Sequence, residues 1–353
     1  MPLTSLRLRN FRCFASLNCP LPDGTALFIG DNAQGKTSVL EAICMLLRLH
    51  SPRTSRPAEL VKFGGSEFGL GGTVSGRELR QDFANGVRTL SVDGAATAKT
   101  ADYLAAGSLV VWMGNGDLEL VTGASDARRR YLDFLGTQLF PEYRPAHAAY
   151  EKALRTRNFL LKRDAVPDWR QVDAYSTLLV QHGEILMRLR REMTAQIQPH
   201  AAAGHGRISG QAEELSLTYH TSAGEDFAAA LRRMRESELR RRVTLTGPHR
   251  DELLLELNGR PAAPFASEGQ QRTLALALKL AQATLLQTAR GAAPLLLLDD
   301  IFGELDPLRR NALLSALPCG AQRLITTTHP GWVEEEFIPE AVFRVAEGVV
   351  QPL

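Results

Sequence analysis

Apolar and polar positions change their spacing several times along this chain, and each change predicts a different kind of element. Leu6, Leu8 and Phe11 sit among charged neighbours, the near-alternation of a half-exposed strand. Thr25-Ala26-Leu27-Phe28-Ile29 is instead a short continuous apolar run, as a strand buried on both faces requires. Behind it, Val39, Leu40, Ile43, Leu46 and Leu47 fall on one helical face, predicting a helix over 38–48. Short strands are expected between Gly69 and Val92, divided by the turn pairs Asn85-Gly86 and Asp93-Gly94, with a buried strand at 108–113.

From Asp126 the spacing becomes helical. Positions 141–163 keep Tyr150, Leu154 and Phe159 in register, and 172–197 carry Leu178, Leu179, Ile185, Leu186 and Leu189. Gly204-His205-Gly206 predicts a break before a strand at 215–219, and 227–242 reads as a short basic helix. Strands and turns return after 245. One strand, 253–257, precedes Asn258-Gly259; a helix follows at 270–289, then strands near 294–298 and 323–328. The pattern describes an α/β body split between 1–124 and 245–353, interrupted by a helical domain at 125–244.

Charge sharpens that division. The net charge of +2 hides a segment, 125–250, with 21 Lys/Arg against 15 Asp/Glu, a balance of +6 that leaves −4 for the remainder. A basic excess confined to one segment makes polyanion binding a candidate role for it, with Arg128, Arg129, Arg130, Arg232, Arg233, Arg240, Arg241 and Arg242 as candidate phosphate contacts. A solvated basic face is the competing reading. The longest apolar stretch, 274–286, is interrupted by Lys279 and Gln282, so no membrane span is expected. Cys13, Cys19, Cys44 and Cys319 have neither metal-ligand nor disulfide-framework spacing, which fits a reducing cytoplasm.

Chemistry concentrates at a few points. Gly30-Asp31-Asn32-Ala33-Gln34-Gly35-Lys36-Thr37, followed by Ser38, matches the phosphate-binding loop G-x-x-x-x-G-K-[ST], in its expected place between a strand and a helix. Backbone N–H groups and the helix N-terminus would face phosphate, Lys36 would neutralise its β- and γ-oxygens, and the Thr37 hydroxyl would ligate Mg2+. Pro294-Leu295-Leu296-Leu297-Leu298-Asp299-Asp300 is a buried strand ending in two carboxylates. Asp299 is placed to hold Mg2+ through water, and Asp300 to orient or deprotonate the water attacking the γ-phosphate of ATP. Ser267, Gly269 and Gln270 open a helix; locally Ser267 and Gln270 suit a capping box, while the helix N-terminus also suits an anion. His329 closes the run Thr326-Thr327-Thr328 after another apolar strand, where an isolated histidine is usually structural.

Taken in order, the phosphate loop, long insertion, Ser-x-Gly-Gln-Gln, apolar-Asp-Asp, Gly303-Glu304-Leu305-Asp306 and strand-Thr-His resemble the ABC-type ATPases. Within that class the chain is similar, nearly end to end, to the RecF family of bacterial DNA-repair ATPases, which is related to the SMC proteins. The resemblance is carried by Leu6-Arg7-Leu8-Arg9-Asn10-Phe11-Arg12-Cys13-Phe14, the phosphate loop, Leu120-Val121-Thr122-Gly123 with Arg128-Arg129-Arg130-Tyr131-Leu132-Asp133, and Leu154-Arg155-Thr156-Arg157-Asn158-Phe159. Thr246-Gly247-Pro248-His249-Arg250-Asp251, 267–273 and 298–306 complete it.

The resemblance implies an ABC-type P-loop ATPase head with a helical, basic insertion domain. It also implies a cytoplasmic protein that dimerises on ATP, hydrolyses it slowly, binds duplex and gapped DNA, and acts with RecO and RecR to load the recombinase. Asp299 and Asp300 become the Walker B acids, and Ser267, with Gly269 and Gln270, reaches the ATP of the partner subunit. Arg12 and Asn32 border the nucleotide and His329 senses the γ-phosphate. Three departures stand out: Asp300 where transport ATPases carry Glu, Glu268 inside the signature loop, and no Gln after the strand ending at Met113. A transporter ATPase subunit is the alternative, but it predicts that Gln and an apolar docking surface. An SMC-type chain would insert hundreds of residues of heptads, whereas 231 positions separate Lys36 from Ser267.

Overall fold

The apolar run at 25–29 forms a central strand, Thr25–Ile29, of a six-stranded sheet in the computed structural model, which describes residues 2–210, 212–332 and 337–353. The chain divides into two units, Met1–Asp117 with Gln282–Leu353, and Leu118–Ala281. In the first, the strand order is Val349–Pro352, Ala341–Ala346, Thr25–Ile29, Arg323–Thr327, Leu295–Asp299, Val110–Gly114. The last five are parallel and Val349–Pro352 is an antiparallel edge. Burial on both faces explains why Leu295–Leu298 is leucine throughout.

A second, antiparallel sheet runs Phe14–Pro20, Leu3–Phe11, Glu67–Val74, Arg77–Ala84, Val87–Val92, Ala95–Ala96. A register shift between Leu3 and Ser5 lets Leu3 and Leu6 both face inward although three positions apart. Asn85 and Gly86 both take positive φ (54° and 77°), the type I′ geometry that matches strand twist. Helix Lys36–Arg48 touches strands of both sheets and is buried over nearly its whole surface, which accounts for the apolar residues on more than one of its faces. Gln322 joins the sheets: its amide accepts from Leu3 N–H at 2.8 Å and donates to the carbonyls of Leu3 at 2.8 Å and Pro22 at 2.6 Å.

The second unit holds helices Ser125–Leu139, Tyr143–Arg163, Trp169–Ser209 and Phe227–Arg241, and a three-stranded antiparallel sheet of Leu215–His220, Glu252–Leu257 and Arg260–Pro261. It extends beyond 125–244 to include the 246–251 motif and Ser267. The break expected at Gly204-His205-Gly206 does not occur, because the helix begun at Trp169 runs through Pro199 to Ser209. Gly204 sits within the helix facing Ala277 and Leu280, where a Cβ would make only ordinary contacts, and His205 is buried with its Nε2 2.7 Å from Glu213. No helix among the described residues is long and apolar enough to cross a membrane.

Candidate nucleotide site

Parallel pairing sets the carboxyl ends of the central strands level: Thr327 lies opposite Ile29, Thr326 opposite Asp299, and Asp299 opposite Gly114. That edge is where open α/β sheets take ligands. The loop leaving Thr25–Ile29 is shaped by two residues with positive φ, Ala33 (65°) and Gly35 (111°). A Cβ at Gly35 would lie 2.6 Å from Cys13 Sγ, and one at Gly30 would lie 2.1 Å from the Val345 carbonyl, so each position excludes a side chain. Gln34 pins the loop by accepting from Glu347 N–H at 2.7 Å.

Inside the loop, Lys36 Nζ donates to the carbonyls of Gly30 at 2.6 Å and Asp31 at 2.8 Å. Burial lowers its pKa below the usual lysine value, partly offset by Asp300, Asp299 and Asp31. Thr37 Oγ1 donates to Asp299 Oδ1 at 2.8 Å, and Thr326 Oγ1 donates to the same oxygen at 2.8 Å. Burial raises the Asp299 pKa above the ordinary carboxylate value; these two hydrogen bonds act against it, and neighbouring Asp300 reinforces it. Asp300 takes a left-handed backbone (φ 52°) held by its own N–H, which donates to the carbonyl and hydroxyl of Thr326 at 3.2 and 3.0 Å. A carboxylate and a hydroxyl held together beside a buried ammonium suit Mg2+, which usually takes only one or two protein oxygens and completes its shell with phosphate and water.

Lys36, Thr37, Asp299 and Asp300 line a cleft of about 640 Å3 together with Arg12, Asn32, Ala33, Gly35, Ser38, Arg53, Val61 and Phe63. Arg12 reaches it already paired, donating to both oxygens of Glu41 at 2.8 and 2.7 Å and to the Glu59 carbonyl at 2.8 Å. Glu41 is fully buried and also accepts from Ser51 at 2.6 Å. The bonds to Glu41 raise the Arg12 pKa above its ordinary value against the effect of burial. His329 stands exposed past the end of Arg323–Thr327, with its backbone bonded to the Thr327 hydroxyl, and it does not line the cleft.

Ser267 belongs to the other unit, exposed at the start of helix Glu268–Arg290. The capping box is formed: Ser267 N–H donates to Gln270 Oε1 at 2.7 Å, and Gln270 N–H to Ser267 Oγ at 3.3 Å. Glu268, the departure inside the signature loop, is paired with Arg272 at 3.0 Å. Of the candidate DNA contacts, Arg128 is spent on Glu252 and the carbonyls of Leu120 and Gly123, and Arg129 on Ser125 and the Asp251 carbonyl. Arg242 caps the carbonyls of Leu161, Asp164 and Ala165. Arg130 is exposed but paired with Asp126, while Arg232, Arg233, Arg240 and Arg241 lie exposed on helix Phe227–Arg241 or at its end.

Sequence reasoning passed over Glu41, Arg53, Phe63 and Thr326. Thr326 showed in sequence only as the end of an apolar strand; its place beside Asp299 follows from the parallel register of the folded sheet. Glu41 and Arg53 had no local signal, because their meaning arises only when helix Lys36–Arg48 is set beside Arg12.

This fold and cleft define an ABC-type P-loop ATPase head. A family model described as an AAA domain matches residues 5–185. The DNA replication and repair protein RecF of Synechococcus sp. (strain JA-3-3Ab) is 36% identical over the full length of this chain and 98% of its own. The structure of the recombination mediator protein RecF-ATPrS in the RecFOR pathway matches with a TM-score of 0.90 at 28% identity, covering 99% of this chain and 98% of that one. The chain belongs to the RecF family of DNA replication and repair proteins. An Smc head domain from Pyrococcus furiosus matches with a TM-score of 0.55 at 16% identity, covering 100% of this chain and 96% of that one, a likeness of fold alone.

Proposed function

We propose that this protein binds ATP with Mg2+ in the cleft, closes into a homodimer around two ATP molecules, and in that state binds DNA. The hydrogen bond from Thr37 to Asp299, 2.8 Å long, is the observation that carries the nucleotide and metal part of the reading, because it joins the phosphate loop to the acidic strand end. In use, Lys36 exchanges its carbonyl partners for phosphate oxygens. Thr37 and Asp299 hold the metal, which when bound neutralises charge on the β- and γ-phosphates. Asp300 orients the attacking water; its carboxylate is one methylene shorter than a glutamate's, which fits slow turnover. Asn32 and Arg12 border the nucleotide, and Ser267, with Gly269 and Gln270, completes the partner's site; His329, outside the cleft of a single copy, reads the γ-phosphate only once the dimer closes.

The same reading gives the protein RecO and RecR as partners in loading a recombinase at gapped DNA. ATPase rate, measured with and without duplex DNA over a range of protein concentrations, tests it. Stimulation by DNA and a steeper-than-linear dependence on concentration are expected. A rate that ignores DNA at every concentration would return attention to a transporter subunit.

For the DNA face, the exposed Arg232, Arg233, Arg240 and Arg241 are the phosphate contacts the arrangement favours. Each one reversed to Glu should flatten the slope of log affinity against log salt by about one unit. A slope that does not change assigns them to solubility or to a protein partner.

A further inference from the structure

We propose that Phe63 is the platform on which the base of the bound nucleoside triphosphate stacks, an assignment that rests on the nucleotide reading of the cleft. Phe63 lines that cleft yet is fully exposed, at 103% of its reference area. It is not on a loose loop. Gly65 N–H donates to the Lys62 carbonyl at 2.8 Å and Gly64 has φ 83°, which makes 62–65 a type II turn with Phe63 at its first central position. Lys62 N–H donates to the Asn10 carbonyl at 2.8 Å, Lys62 Nζ to the Cys13 carbonyl at 3.1 Å, and Arg12 N–H to the Leu60 carbonyl at 2.8 Å. Val61 bridges to Phe11. The turn is therefore tied to the strand that brings Arg12 to the cleft.

A large aromatic presented to water on a hydrogen-bonded turn forgoes the burial that normally stabilises it. Its placement makes sense when a flat, weakly polar face covers it in the working state. The cleft offers two chemistries: ammonium, hydroxyl and carboxylates for phosphate, and Val61 with Phe63 for something apolar. A nucleotide has both parts, and aromatic stacking accepts any base because every base has a π face. Phe63 thus supplies affinity for the base without selecting among bases.

Calorimetric titration with ATP and with inorganic tripolyphosphate, both with Mg2+ and at concentrations where light scattering finds a monomer, tests this. Phe63→Ala should weaken ATP about tenfold while leaving tripolyphosphate unchanged. Phe63→Trp should restore ATP affinity, with indole fluorescence quenched by ATP and GTP but not by tripolyphosphate. Undiminished ATP affinity in Phe63→Ala, or equal loss for both ligands, overturns the platform while leaving the nucleotide site in place. So does unchanged monomer affinity with a weaker ATP-induced dimer, which would give the ring to a second copy of the chain. Failure of the unmodified protein to bind ATP overturns the nucleotide reading itself.

Discussion

Lys36→Met should lower ATP affinity by about a hundredfold or more, as measured by calorimetry or a fluorescent nucleotide. Each hydrogen bond between an ammonium and a charged acceptor contributes about 1.5–3 kcal/mol, and about 1.4 kcal/mol is tenfold in affinity, so losing two such bonds sets that scale. Methionine keeps the length of the buried stem, so the loop loses its cation rather than its packing. The carbonyls of Gly30 and Asp31 lose their donor but remain beside an open cleft where water can replace it. An affinity equal to that of the unmodified protein would remove the loop from the nucleotide site altogether.

Arg190→Met should destabilise the unit Leu118–Ala281 by about 3 kcal/mol, the low end for breaking a buried ion pair, because Asp133 is partly exposed and keeps Tyr143 and His147. The Arg190 guanidinium is buried and donates to Asp133 at 2.6 Å, the Pro248 carbonyl at 2.7 Å and the Tyr143 hydroxyl at 2.9 Å. It thereby ties helices Ser125–Leu139 and Tyr143–Arg163 to the 246–251 motif. Burial alone would raise the Asp133 pKa, but the charge of Arg190, with His147 and Tyr143, holds it below the usual carboxylate range. A carboxylate with a depressed folded pKa stabilises above its unfolded value of about 3.9 and loses that contribution as pH falls. Hydrogen exchange on this unit should show the loss in Arg190→Met at neutral pH. The variant should also lose less further stability on acidification than the unmodified protein does. If exchange protection is unchanged, the network has no part in holding the motif.

The strands and helices were readable wherever one period ran long enough to dominate. The phosphate-loop strand and helix, the leucine strand before Asp299 and the Asn85-Gly86 turn all follow from local spacing. The Gly204-His205-Gly206 break fails because two glycines lower helix propensity by only about 1 kcal/mol each, too little to end a helix with a buried face. The edge hairpin Ala341–Ala346 with Val349–Pro352 was missed; its turn, Glu347-Gly348, lacks the usual Asn or Asp at the first position although both residues take positive φ. Within the site, Lys36, Thr37, Asp299 and Asp300 could be named from sequence because their roles depend on short motifs. Arg12 paired with Glu41, Thr326 beneath Asp299 and Phe63 on its turn depend on contacts between distant segments. The arginine triplet at 128–130 shows the opposite limit: charge alone did not reveal that Arg128 and Arg129 already have internal carboxylate, hydroxyl and carbonyl partners.

Helix Lys36–Arg48 starts at the phosphate loop and lies buried against both sheets of its unit, with Gln322 fastening those sheets to each other. Close-packed interiors transmit displacement rather than absorb it. A push delivered at the first turn of this axle is therefore shared by every layer around it, and the loop has little freedom to flex independently. Ligand contact at the loop is expected to displace this unit as one piece, closer to a lever than to a lid.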